Sequence, residues 1–456
     1  MEKISAINNI INGFVWGPYM LVLLIGTGVY MSLRTYFFQI KNFNIWAKLT
    51  YGSMFDKHEK GHNITPFQAV SVALASTIGI GSIAGIATAI VSGGPGALFW
   101  MVVSAFFGMM TKFSEVVLSV YFREKDENGI HYGGPMYYIE KGLKQKWLSI
   151  LFAIFAAIAT FGAGNMTQSN AIAGLLNQTL KLPEYVSGII VAIIVALVLI
   201  GGIKRISSVS EKLVPFMATI YFIASIIILI INFKNIPQAI KLIVSEAFSL
   251  KSAASGITGY AIFIAMRYGI ARGVFSNKAG LGTAPIAHTA SNTNNPVKQG
   301  MWGVFEVFNT LIICLLTGLV IISSDLYLYG NTAADGAVLT SLAFKEAIGI
   351  IGEIVITISS ILFAFSTIIG WSYYGETCLG YLTKRNKIVI MSYKIIFIII
   401  IVIGATSDLK SVWAIADTFN GLMAIPNLIG VILLSPIVIT MVKKYVKNPN
   451  SVELEN

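Results

Sequence analysis

The sequence predicts an all-α polytopic membrane protein of about eleven transmembrane helices, arranged as a five-plus-five inverted repeat behind one extra N-terminal helix. Three observations predict it. Of 456 residues, 55% are apolar and only 12% charged, and the mean hydropathy is +0.76, a balance suited to lipid rather than to a soluble domain. Apolar runs long enough to span, with about 20 residues as the guide, recur near 14–33, 66–91, 97–121, 148–174, 186–203, 213–233, 255–275, 300–323, 354–382, 388–405 and 413–442. Finally, the stretches 34–63, 122–147, 204–212, 272–299 and 383–387 with the tail 443–456 hold 22 of the 32 Lys and Arg, against seven on the opposite side (Lys3, Lys181, Lys234, Lys241, Lys251, Lys345 and Lys410). Positive charge favours the cytoplasmic side, so the N-terminus is expected outside and the C-terminus in the cytoplasm of a cell membrane.

Taken in order, residues 1–63 are expected to form the extra helix and a cytoplasmic loop. The opening MEKISAINNIINGF has no basic n-region, and no small-residue cleavage site follows the first apolar run, so that run reads as a retained helix. Residues 64–254 form the first five-helix repeat, 255–444 the second, and 445–456 a cytoplasmic tail. The first repeat starts from the cytoplasm and the second from outside, which is the inverted arrangement. Polar stretches such as 34–63 and 123–147 are too short for a separate core. The net charge of +11 is scattered between spans, which excludes a nucleic-acid patch. Cys314 and Cys378 lie inside apolar runs and offer neither a disulfide framework nor a metal spacing. Paired carboxylates, a metal cluster, a loop nucleophile and a P-loop are all missing from the sequence, which argues against an enzyme, a cofactor or an ATP-driven pump.

The chain is organised around Ala73–Met101, ALASTIGIGSIAGIATAIVSGGPGALFWM. It is apolar enough to span, yet carries Gly79, Gly81 and Gly85 at its centre, each weakening a helix by roughly 1 kcal/mol against Ala. Such a helix is expected to unwind at mid-membrane and expose carbonyls and amides to a polar cavity; the alternative is a glycine face for close helix packing. The second repeat opens with SAASGITGYAIFIAMRYGIARGVFSNKAGLG, where Gly256, Gly259, Gly269 and Gly273 interrupt an apolar run containing Arg267. Interrupted helices in corresponding positions point to a binding site near the membrane midplane.

At this point the chain resembles the alanine or glycine:cation symporter family, whose members resemble the leucine-transporter-type fold. The signature GG-x-G-A-hydrophobic-FWMW is met by GGPGALFWMVVSAFFG from Gly93 to Gly108, except that Val102 stands where the last Trp is expected. ITPFQAVSVALA at Ile64, GGPMYYI at Gly133, FGAGNMTQSNAIAG at Phe161, ARGVFSNKAGLGTAP at Ala271 and ADTFNGLMAIPNL at Ala416 follow in order, so the likeness covers nearly the whole chain. Ser82 departs from the family's usual Asn after G-x-G, and Lys278 replaces the acidic residue of FSNEAG. The resemblance implies a secondary active symporter coupling sodium influx to uptake of alanine or glycine by alternating access, with the sodium ion as the coupling ion. The competing readings are a proton-coupled or cation-independent carrier on the same scaffold, and a channel.

Sodium takes oxygen ligands, most readily carbonyls freed where a helix unwinds and hydroxyls on a facing helix. Ser366 and Thr367 in ILFAFSTIIGW supply such hydroxyls. The resemblance implies a five-ligand site built with them from the carbonyls of Ala75, Ile78 and Phe363; the competing role for the hydroxyls is a bond back to a carbonyl one turn earlier. The carboxylate of an amino acid suits free amides at a half-helix N-terminus, here Gly79 to Ile83 with Gly81 and Ser82, flanked by Thr77. Its ammonium suits carbonyls around Ala265 to Gly269, a run that includes Met266 and Tyr268. Asn165, Gln168 and Asn170 can supplement them or act as interhelical ties. In two-sodium relatives the Asn after G-x-G ligates a second sodium, so Ser82 implies one sodium per substrate. Intramembrane charges need partners: Lys112 is expected to pair with Glu115, and Arg267 either to pair with Glu306, Glu376 or Asp417 or to attract an anionic substrate. Trp100, Tyr268 and Trp371 are expected either to close the pocket or to pack.

Overall fold

The computed structural model describes residues 2–54, 64–127, 129–249, 260–324, 326, 336–407 and 409–454. The chain runs through α1 (Glu2–Val15), α2 (Pro18–Arg34), α3 (Phe38–Lys41), α4 (Phe43–Gly52), α5 (Pro66–Thr77), α6 (Ala84–Gly93) and α7 (Gly96–Tyr121). A two-stranded hairpin, β1 (Glu124–Lys125) and β2 (His131–Tyr132), precedes α8 (Pro135–Leu143), α9 (Lys146–Phe161), α10 (Thr167–Leu180), α11 (Glu184–Leu199), α12 (Gly202–Ile231) and α13 (Ile236–Ala247). The second half holds α14 (Tyr260–Asn277), α15 (Ala284–Thr289), α16 (Pro296–Ser323), α17 (Ala337–Leu382), α18 (Lys387–Ala405), α19 (Leu409–Leu433) and α20 (Ser435–Lys447). Helix starts follow local chemistry. Thr65 and Gln68 form a reciprocal capping box ahead of α5 with Pro66 in its first turn, and the Asn295 side chain accepts from the Lys298 amide to cap α16.

Among the described residues, seven helices are long and apolar enough to cross a membrane: α7, the α9–α10 pair, α12, α16, α17, α18 and α19. The runs at 14–33 and 186–203 form shorter apolar helices, α2 and α11. The run at 66–91 is interrupted between α5 and α6, as its glycines predict. Only the break itself is irregular: Gly85 sits inside α6. The sequence did not predict α1, α8 or α13 as separate helices. The α7 helix is central, packing on α14 and α16 over most of its length and on α2, α13 and α15 elsewhere.

The second break in the described residues is not at Gly269 or Gly273. Gly256 and Gly259 lie outside the described residues, while α14 runs unbroken through Arg267, Gly269 and Gly273. The reason is packing: a Cβ at Gly269 would stand 2.3 Å from the Ala97 carbonyl oxygen, so this glycine lets α14 press onto α7. The interruption instead falls at Lys278–Thr283, in FSNKAGLGT, where Lys278, Gly280 and Gly282 take φ of +56°, +88° and +76°. Glycine is the residue best suited to those last two positions, and the Asn277 side chain accepts from the Ala279 amide to complete the turn, at 2.9 Å. Arg272 and Lys278, grouped above with a loop, therefore lie within the bundle. The two interrupted helices cross, with α5 against α15 and α6 against α14, and Ile64 pairs with Ser291 beside the α5–α15 contact.

Asn427 of α19 holds the second break in shape. Its amide donates to the Gly280 carbonyl (2.8 Å) and to the Glu115 carboxylate, and its oxygen accepts from the Tyr138 hydroxyl. Asn427→Ala leaves buried groups unpaired and should lower the thermal midpoint of the detergent-purified protein by several degrees, on the basis of about 1–3 kcal/mol per orphaned group. An unchanged midpoint would show that the break does not depend on Asn427.

Candidate functional site

The first break begins where Ile78 leaves the helix at φ −80°, ψ 78° after its amide has bonded the Leu74 carbonyl. A single tight turn follows, with Ser82 N–H on the Gly79 carbonyl (3.0 Å) and Ile83 N–H on the Ile80 carbonyl (3.1 Å), before α6 resumes. The glycines serve space rather than handedness. Gly79 has φ −114°, open to any residue, but a Cβ on it would lie 2.4 Å from Thr367 Oγ1, and one on Gly81 would lie 2.7 Å from the Phe275 ring.

Four of the five residues expected to hold sodium have their oxygens drawn together here. Thr367 Oγ1 lies 3.0 Å from the Ala75 carbonyl and 2.9 Å from the Phe363 carbonyl; Ser366 Oγ lies 3.1 and 2.9 Å from the same two. The Phe363 contacts are the local back-bonds to the preceding turn, whereas the Ala75 contacts cross from α17 to the end of α5. The fifth, Ile78, is the non-helical residue of the break. All five residues are at most 2% exposed, so the cluster is a dry set of neutral oxygens, the donor set a hard monovalent cation takes.

Of the expected substrate residues, Gln168 reaches the break: its Oε1 accepts from the Ile80 amide at 3.2 Å, while its Nε2 is held by the Ala163 carbonyl and the Thr167 hydroxyl. Ser82 is buried, its hydroxyl 2.7 Å from that of Ser276 on α14 and its carbonyl accepting from Thr317 of α16. Asn165 and Asn170 turn away and tie their helix to α18, donating to the Phe397 carbonyl (2.7 Å) and to the Gly404 and Ser407 carbonyls (3.1 and 2.7 Å). Met266 and Tyr268 belong to unbroken α14, whose carbonyls are spent on its own helix, and Tyr268 packs on Gly93. Of the aromatics, Trp371 borders the break through its bond to the Ser76 carbonyl (3.0 Å), whereas Trp100 bonds the Ala247 carbonyl and meets Phe99 edge-on and Phe248 at a tilt.

Thr77, the last residue of α5, belongs to a network that sequence reasoning missed. Its hydroxyl lies 2.6 Å from Glu306 Oε1, which also receives Lys112 Nζ at 3.2 Å; Glu306 Oε2 meets His288 Nε2 at 3.2 Å, and Gln299 Nε2 stands 2.8 Å from His288 Nδ1. Gln299 donating to Nδ1 leaves the proton on Nε2 facing the carboxylate, so a neutral histidine completes one Lys112–Glu306 ion pair. Lys112 thus pairs with Glu306, which α16 brings beside it, rather than with Glu115, whose carboxylate accepts from Asn427. The isolated charges Lys112 and Glu306 were the signal; spacing along one helix could not reveal a partner 194 positions away.

Arg267 also lacks the expected ion pair. Glu306 is held by Lys112, Glu376 by Lys394 (3.0 Å), and Asp417 by a two-pronged bond from Arg272 (2.9 and 3.2 Å). Arg267 lines, with Asn12, Trp16, Tyr268 and Asp417, a cleft of about 150 Å³ between the α1 end, α14 and α19. Trp16 donates to the Asp417 carbonyl, so α1 is fastened to the helix that carries the ion pair.

Gly79→Val or Gly81→Val should abolish transport while membrane insertion persists, because the added side chain strikes Thr367 or Phe275. Normal transport by both would show that this space is unused. Glu306→Gln should lower both the thermal midpoint and transport, since it leaves the Lys112 ammonium buried without its anion; wild-type values for both would remove the network from the working site.

The profile described as "Sodium:alanine symporter family" matches residues 1–455. The chain is 45% identical to the "Sodium/alanine symporter AgcS" of Methanococcus maripaludis, over 98% of each chain. It is 35% identical to the "Probable sodium/glutamine symporter GlnT" of Bacillus subtilis, over 98% of this chain and 91% of that one. Among solved structures, a manganese transporter of Eremococcus coleocola is similar with a TM-score of 0.49 at 13% identity, over 88% of this chain and 85% of that one. A Na+-coupled sialic acid symporter has a TM-score of 0.47 at 14% identity, over 93% and 82%. With its family profile matched from end to end and a relative at 45% identity over nearly its whole length, the chain belongs to the sodium:alanine symporter family, whose members are membrane transporters and not enzymes.

Proposed function

We propose that the protein carries one sodium ion inward with one small neutral amino acid, alanine or glycine, by alternating access. The observation that carries this reading is the meeting of Ser366 and Thr367 with the Ala75 and Phe363 carbonyls at the first helix break. Rotation of the two hydroxyl protons away from the carbonyls leaves four oxygens free for a cation, with the Ile78 carbonyl as the fifth. Beside it, the Ile80 amide now held by Gln168 is the kind of donor a substrate carboxylate takes, and Thr77, Gly79, Gly81 and Ser82 frame that space. Asn165, Asn170, Met266 and Tyr268 serve the surrounding packing in this reading. The tight space at Gly79 and Gly81 supports a small side chain; the similarity to a protein named for alanine agrees, and the one named for glutamine adds that amino acid to the panel to be tested.

The eleven-span count, the inverted repeat over 64–254 and 255–444, and the orientation with the N-terminus outside and the C-terminus in the cytoplasm belong to the same proposal. The crossed packing of the two interrupted helices supports the repeat. In this orientation the Arg272–Asp417 pair closes the outer side of the site. A cysteine at Lys144 should be protected from an impermeant thiol reagent in intact cells, and one at Lys181 should label; the reverse pattern overturns the orientation.

One charge crossing 100 mV yields about 2.3 kcal/mol, and a tenfold sodium gradient adds roughly 1.4 kcal/mol. One-ion coupling then caps accumulation of a neutral substrate at roughly 500-fold, against roughly 10⁵-fold for two ions. A sodium jump across proteoliposomes with labelled alanine, glycine and glutamine should drive uptake of a small amino acid, with a reversal potential fitting one sodium per substrate. Thr367→Ala should raise the sodium requirement far more than Ser82→Ala. A ratio of two, or unchanged sodium dependence in a Ser366→Ala, Thr367→Ala double variant, would sink the single-site reading.

A further inference from the structure

Lys278 occupies the second helix break and is 4% exposed. Its ammonium lies 3.8 Å from the centre of the Phe275 ring and 5.3 Å from that of Trp371. Both rings border the first break: Phe275 is the group a Cβ on Gly81 would strike, and Trp371 donates to the Ser76 carbonyl. The two breaks therefore meet at an aromatic wall with a cation on it. No carboxylate among the described residues pairs with this cation. Asp417 is forked by Arg272, Glu306 is held by Lys112, Glu115 accepts from Asn427, and Glu376 pairs with Lys394.

A buried ammonium in contact with ring faces, with Asp417 acting on it only from beyond ion-pair distance and against Arg272 and Lys112, is costly. Cation–π contact returns about 0.5–2 kcal/mol, well short of the several kcal/mol of desolvation. Lys278 is also held at φ +56°, a conformation that Gly or Asn takes more cheaply. Strain and an unpaired charge at one residue mark a position kept for what it binds. The partner such a charge calls for is an anion, and Phe275 and Trp371 put the ammonium on the side of the first break.

We propose that the Lys278 ammonium is the counter-charge for the α-carboxylate of the transported amino acid, making it a specificity-determining residue of the site. The carboxylate then bridges the two interrupted helices, with backbone amides of the first on one side and Lys278 of the second on the other. The fixed cation also supplies the positive charge a second sodium would otherwise bring beside the carboxylate. This rests on the amino-acid reading above, but not on which amino acid is carried, because every one has the α-carboxylate.

The test uses full-length protein in detergent with saturating sodium, the best-bound amino acid of the alanine, glycine and glutamine panel, and its α-carboxamide, which lacks the negative charge. Lys278→Met should weaken binding of the amino acid by about 10- to 100-fold, the range of a lost hydrogen bond to a charged group. It should leave the carboxamide unchanged or improve it. Lys278→Arg should restore most of the loss, and Lys278→Glu should abolish amino-acid binding. If Lys278→Met does not fold, Lys278→Gln keeps a donor without the charge and should show the same selective loss. Equal weakening of amino acid and carboxamide, or no weakening of either, overturns the Lys278 assignment while leaving sodium-coupled transport intact. Sodium-independent binding that remains selective for the carboxylate overturns the sodium coupling and upholds Lys278. A panel in which no amino acid binds overturns both.

Discussion

The Glu306 carboxylate is the constraint on which the rest of the structure depends. It is fully buried, and its two oxygens receive Lys112 from α7, Thr77 from the end of α5 and His288 from α15. A lone carboxylate at that depth is costly; satisfied on both oxygens, it fastens one half of each interrupted helix, α5 and α15, to the continuous helices α7 and α16. The breaks need such an anchor because an unwound segment has lost the ladder that makes a membrane helix self-sufficient. Asn427 repeats the logic from the other side, joining Glu115 of α7 to the Gly280 carbonyl in the second break.

The two breaks are built by different means. The first takes ordinary dihedral angles and is defined by proximity: Thr367 crowds Gly79 and Phe275 crowds Gly81, so its glycines mark where other elements arrive. The second adds handedness, with left-handed residues alternating at Lys278, Gly280 and Gly282, the two glycines also being crowded by Leu24 and Pro135. The Thr367 hydroxyl of α17 and the rings of Phe275 and Trp371 are the groups that border the first break.

Much of this was legible in the sequence. The apolar runs located the seven long apolar helices and the shorter α2 and α11, and Gly79 and Gly81, close together among Ser and Thr in an apolar stretch, located the first break. Ser366 and Thr367 were legible by chemistry once a facing break was expected. The second break was misplaced because Gly269 and Gly273 resemble breakers in one dimension, yet face α7 in three. Ion pairs were the least legible: Lys112 with Glu306 and Arg272 with Asp417 join residues far apart in the chain, and intervals along a helix favour neighbours such as Glu115. Asn165, Gln168 and Asn170 could not be told apart by spacing. Only their relation to α18 separates the two that tie helices from the one that reaches the break.

If the first break holds a cation and an amino acid side by side, each must strengthen the other by the same factor, since coupling between two bound ligands is reciprocal. Equilibrium binding of labelled alanine to purified protein over a range of sodium concentrations, paired with sodium titrations at fixed alanine, measures that factor in both directions. The account predicts equal factors well above one, a sodium dependence of first order, and their collapse in Thr367→Ala. Alanine affinity that is indifferent to sodium would contradict it.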